Sequence, residues 1–126
     1  MINNFSDLLA IAATQPDAQR LLLLFANAEV EDHDNAEIRG TLSPVMCVDK
    51  LPAQLTDFST LVKEADGVST GWNMVFVAGL AGKGKVPPTE KDAEPYLNQM
   101  TSDLRTGQDL SRYLVFDRDE QLVSFG

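Results

Sequence analysis

The stretch WNMVFVAGLAGKGKVPPTE, residues 72–90, decides how this chain is read. Its apolar, β-rich part, residues 73–78 (NMVFVA), specifies a strand. Gly79, Gly82 and Gly84 then allow a tight turn, with Lys83 and Lys85 beside them. Pro87 and Pro88 hold the chain extended before the next helix. Strands that alternate with helices in this way predict parallel neighbours in a sheet covered by helices on its faces.

On the amino-terminal side, Phe5, Leu8, Leu9, Ala12 and Ala13 recur at helical spacing, with Asn4 or Ser6 as the cap. Pro16 ends that helix. RLLLLFANA (residues 20–28) is an unbroken apolar run, and its length and the preceding proline favour a strand over a helix. Residues 29–40, EVEDHDNAEIRG, read as an exposed acidic loop. Residues 42–48 (LSPVMCV) give a second strand, expected to begin after Pro44. Leu55, Phe58, Leu61, Val62 and Ala65 mark a helix capped by Thr56 and stopped at Gly67.

On the carboxyl-terminal side, a third helix is expected from Asp92, with Pro95 in its first turn. Its inward face is Tyr96, Leu97, Met100 and Leu104, and Gly107 closes it. YLVF (residues 113–116) and QLVSF (residues 121–125) flank a polar turn as a terminal β-hairpin. The expectation is one α/β domain in the order α-β-β-α-β-α-β-β. Its sheet is mixed and mostly parallel, with four or five strands and about three flanking helices.

The 126 residues fit one domain with one core. Nineteen acidic against ten basic residues give a net charge of −9, which repels a phosphate backbone and argues against nucleic acid as a partner. No apolar run reaches the ~20 residues that span a bilayer, so no membrane role is expected. One cysteine and no leader pattern point to the cytoplasm.

In an open, partly parallel sheet, ligands favour the carboxyl ends of the strands. That edge would gather residues 27–29, Asp49 with Lys50, the loop from Gly79 to Lys85, and Asp117 with Arg118. Gly79, four residues and then Gly84-Lys85 approach a phosphate-binding loop, but Val86 stands where a magnesium-binding hydroxyl belongs. The two prolines also prevent the helix that such a loop needs at its end. What remains is a site for an anion or a partner: Gly79, Gly82, Lys83, Gly84, Lys85, Asp49, Lys50, Asp117 and Arg118. Cys47, among Val45, Met46 and Val48, reads as inert apolar filler. His33 with Asp32, Asp34 and Glu37 misses the calcium-loop pattern, because Glu37 occupies the position of the turn glycine. Neither a metal nor a cofactor is expected. No serine sits in a nucleophile elbow. Trp72 is read as a packing residue at the sheet edge.

Six segments taken together resemble a family of short proteobacterial proteins: LLLLFANAE from Leu21, SPVMCVDK from Ser43, the helix around Phe58, MVFVAGLAGKG from Met74, PTEKDAEPYLNQM from Pro88 and VFDRD from Val115. Members of that family often carry the label "ribonucleotide reductase subunit alpha". The resemblance covers most of the chain from Leu21 onward. It implies a recurring domain type and no reaction. Ribonucleotide reduction needs a radical cysteine plus a redox pair of cysteines in a much longer barrel, and this chain has Cys47 alone. The reading that follows is a non-catalytic domain binding a protein or a small anion. Its alternatives are a small phosphate- or nucleotide-binding enzyme at the strand ends, and an acidic inhibitor or immunity-type protein that masks a basic partner.

Overall fold

A computed structural model describes residues 2–29, 42–106, 110 and 113–123 of the chain. The acidic loop around His33, the helix stop at Gly107 and the hairpin beyond Val123 lie outside the described residues. The elements run α1 (Phe5–Ala13), β1 (Gln19–Ala28), β2 (Leu42–Lys50), a 3-10 turn (Pro52–Gln54), α2 (Phe58–Val68), β3 (Met74–Ala81), α3 (Glu90–Thr106) and β4 (Leu114–Asp117).

The sheet has the order β2-β1-β3-β4, and every pairing in it is antiparallel. The expected mostly parallel sheet is therefore wrong. β2 and β3 do point the same way, and α2 does join them, but β1 sits between the two and pairs with both. This is a split β-α-β arrangement, in which a helical connection carries the chain past one strand instead of beside it.

Burial explains why the run at residues 20–28 does not alternate. Leu21, Leu23 and Phe25 face one layer with α1 and α2, while Leu22, Leu24 and Ala26 face α3. A strand covered on both faces is apolar throughout, whatever the direction of its neighbours. The first layer is centred on Phe5, Phe58 and Phe116, whose ring centroids lie 5.6–6.2 Å apart. In the second layer Ala93, Leu97, Met100 and Leu104 form the buried stripe of α3.

Local chemistry sets the boundaries. α1 is capped by Asn4, whose side-chain oxygen accepts from Asp7 N–H at 2.9 Å. α2 is capped by Asp57 and not by Thr56: its carboxylate accepts from Thr60 N–H at 2.7 Å, and the helix runs through Gly67 to Val68. α3 begins at Glu90, two residues before the expected start. Thr89 and Asp92 cap it reciprocally, through bonds of 3.0 and 3.1 Å. β2 begins at Leu42 and not after Pro44; Pro44 pairs with Ala26, and the register shifts between Phe25 and Ala26, skipping Val45. A proline and a bulge belong on an edge strand, where no inner ladder needs the missing donor. Cys47 lies on this strand and is exposed, not buried as apolar filler. β3 extends to Ala81, three residues beyond the expected end. Of the terminal hairpin, the bridge Phe116–Leu122 and the bond from Val123 N–H to the Val115 carbonyl, 2.9 Å, are present.

Candidate functional site

Antiparallel pairing divides the nine sequence-selected residues between opposite ends of the sheet. Lys50 and Gly79 both pair with Leu21, and Asp49 pairs with Leu22, so these lie at the end where β1 begins. Asp117 pairs with Met74, at the end where β3 begins and β1 finishes. The single edge expected from a parallel sheet does not exist.

At the Asp117 end the charged groups lock the fold. Arg118 donates to Asp66 at 2.6 Å and to the Trp72 carbonyl at 3.0 Å, and its guanidinium lies 4.2 Å from the Trp72 ring centroid. Trp72 is 2% exposed, and its indole N–H donates to Asp66 at 3.2 Å. Asp117 accepts from the N–H groups of Asp119 and Gln121 at 2.8 and 3.0 Å, which shapes the turn. Glu120, in the left-handed region at φ 64°, reaches Phe5 N–H at 2.9 Å and ties the start of α1 to the hairpin.

At the other end Asp49 pairs with Arg20 at 2.6 Å, and Arg20 Nε also donates to the Pro88 carbonyl at 2.7 Å. Lys50 meets Glu64 of α2 at 3.1 Å. The glycine loop is a tight turn closed by Lys83 and Val86, which exchange backbone bonds of 2.9 and 3.0 Å. Gly84 takes φ 58° at the first central position, as a two-residue turn of type II′ requires. At Gly82 a Cβ would run into the Val86 carbonyl oxygen and lie 2.9 Å from Pro87 Cα.

The backbone N–H groups of Gly82, Lys83, Gly84 and Val86 are engaged. Gly82 N–H donates to the Ala18 carbonyl at 2.8 Å, and Gly84 N–H donates to the Asp17 carboxylate at 2.9 Å. An anion does sit on the glycine turn, and it is the chain's own Asp17. Lys83 and Lys85 form no salt bridge among the described residues.

Beside this turn lies a feature missed in the sequence. β4 pairs only with residues 74–77 of β3, its last partners being Val77 and Leu114. Residues 78–81 pair with β1 on one side, and no strand pairs with them on the other among the described residues. Where the pairing with β4 stops, a groove of about 500 Å³ opens between residues 78–80 of β3, Gln99 and Met100 of α3, and Tyr113 and Leu114. It reaches Leu8 in the α1 layer and Met100 in the α3 layer, so it passes through the plane of the sheet. A second hollow of about 530 Å³ shares Leu80 and Tyr96 with the first and runs on past Lys83, Val86 and Pro87.

Tyr96 stands where the two hollows meet. The sequence places it on the inward face of α3, yet it is 53% exposed. The buried stripe uses Ala93, Leu97, Met100 and Leu104, which puts Tyr96 on its flank, over the groove. Behind it, the buried carboxylate of Asp103 accepts from Tyr113 O–H at 2.6 Å and from Gln99 Nε2 at 2.8 Å, fixing two side chains of the groove wall. The sequence held only a tyrosine among the apolar residues of an amphipathic helix, which reads as inward-facing and gave no sign of its exposure. The half of β3 beyond β4 had no signal either, since it depends on where β4 starts.

No group of three or more metal-ligating side chains occurs among the described residues, and no helix among them is long and apolar enough to cross a membrane. Compared with protein-family models, with curated proteins and with solved structures, the chain matches none.

Proposed function

We propose that this chain is a non-catalytic binding domain whose ligand is a segment of another protein, received in the groove beside residues 78–81. One observation carries the reading: a half-strand with no second partner strand among the described residues borders an open, mostly apolar groove, with a half-exposed tyrosine where that groove meets a second hollow. Concave apolar surfaces with few polar groups are where ligands bind, and tyrosine is enriched at interface centres because it joins an apolar ring to a polar tip. A protein segment is favoured over a small anion because the donors of Gly82, Lys83, Gly84 and Val86 are already committed within the chain. The cytoplasm, expected from the sequence, remains the proposed location.

A photoreactive residue in place of Tyr96 tests this in cells. The expected result is a discrete cross-linked product that is absent when the same residue replaces Val68, which is 77% exposed at the end of α2. Equal products from both positions, or none from Tyr96, would remove the reading.

A further inference from the structure

Among the described residues the sheet has three stretches at which another strand could be added, and two of them are guarded against it. β2 is an edge strand of nine residues, but Pro44 removes a donor and the bulge at Val45 breaks the regular ladder. The outer side of β4 is covered by the bridge Phe116–Leu122 and the bond from Val123 to Val115. Residues 78–81 of β3 have neither protection: no proline, no bulge and no partner strand on that side among the described residues.

Resting on the function proposed above, we infer that the bound segment enters as an added β-strand. It extends β4 alongside residues 78–81, runs antiparallel to β3, and is preceded by an acidic residue that meets Lys83. Direction follows from the sheet, whose pairings are all antiparallel, and from continuity with β4, whose register ends at Leu114 opposite Val77. A segment continuing that register begins beside Ala81 and finishes beside Ala78. Its amino-terminal flank therefore lies next to Lys83, whose ammonium has no ion partner among the described residues. On a chain with net charge −9, this lysine and Lys85 outnumber the Asp17 carboxylate on the turn and set the charge of the segment's leading end.

Side-chain preferences follow from the pleat. Residues opposite each other on antiparallel strands share a face. Ala78 and Leu80 belong to the α3 layer, so the segment residues opposite them meet Tyr96, Gln99 and Met100. The residue opposite Gly79 faces the α1 layer and Leu8, beside the Gln19 side chain that lies over Gly79. The segment should therefore read as an acidic residue followed by four strand-forming residues, the third of them large and apolar. Strand addition takes its affinity from main-chain hydrogen bonds and its selectivity from such alternate contacts.

The test is selection of a displayed library of random dodecapeptides on the intact protein, followed by amide hydrogen exchange with the most enriched peptide. The inference expects that acidic-then-apolar pattern, slowed exchange at two alternate residues of 78–81, and loss of binding when alternate peptide nitrogens are methylated. Lys83→Glu should weaken binding up to about fivefold, as for an exposed ion pair. Peptides that bind with no new protection in residues 78–81, or that tolerate methylation, would overturn strand addition and leave the binding domain standing. Protection of those amides by the protein alone as its concentration rises, with dimers in sedimentation, would make a second copy the occupant and overturn the inference. If no peptide is enriched and none binds, both readings fall.

Discussion

The two halves of β3 are one strand in two environments. Residues 74–77, Met-Val-Phe-Val, have β1 on one side and β4 on the other, and Val75 and Phe76 are fully buried. Residues 78–81, Ala-Gly-Leu-Ala, pair with β1 alone among the described residues, and their burial alternates between half-buried and exposed. The first half carries β-branched and aromatic side chains that fill both layers. The second carries small ones and borders a groove. Burial is concentrated where the strand has two described neighbours, and the binding surface proposed above lies where it has one. Binding elements are commonly drawn from the less protected parts of a fold.

Substitutions can break or sharpen this contrast. Phe76→Ala removes a buried ring packed 6.5 Å from Tyr113 and should cost about 3–5 kcal/mol in urea unfolding. A cost similar to that of a surface change would deny the first half its role. Gly82→Ala forces a Cβ against the backbone of Val86 and Pro87, so the turn that ends β3 must shift. About 2 kcal/mol is expected, as for overpacking elsewhere. Arg118→Ala, at the end where β3 begins, loses the Asp66 pair and the stacking on Trp72. Arg118 and Asp66 are both partly exposed, which limits the loss to about 1 kcal/mol. Tyr96→Ala, over the second half, should change stability by ~0.5 kcal/mol or less while weakening binding of the selected peptide.

Asp57 supplies a pH-dependent control away from β3. Hydrogen bonds from Thr60 hold its carboxyl below the ordinary value of 3.8. A group lowered by folding stabilises above its unfolded value and loses that contribution as pH falls through its folded one. Asp57→Ala should therefore lower the melting temperature at neutral pH, and the gap should close only below pH 3.8.

Much of this fold was legible because periodicity reports burial. The stripe at Phe58, Leu61 and Ala65 specified α2, and the apolar runs located β1 and β3. Strand direction was not legible. Leu21 to Ala26 look like an inner strand of a parallel sheet because both faces are covered, and coverage is independent of direction. The crossover from β2 to β3 passes β1, a fact of spatial order with no local signature. That error merged two opposite ends of the sheet into one imagined site. It joined Asp117 and Arg118, which hold the fold, to Lys83 and Gly79, which border the groove. The glycine turn was found from sequence, but its anion, Asp17, lies 67 positions away from Gly84 and gave no sign.

Amide hydrogen exchange along β3 in the unliganded protein tests the central claim most directly. The account predicts uniform slow exchange at residues 74–77. Across residues 78–81 it predicts alternation, with amides facing β1 slow and the others fast. Uniform slow exchange along the whole strand would show that the edge is covered within the chain itself, and would contradict the account.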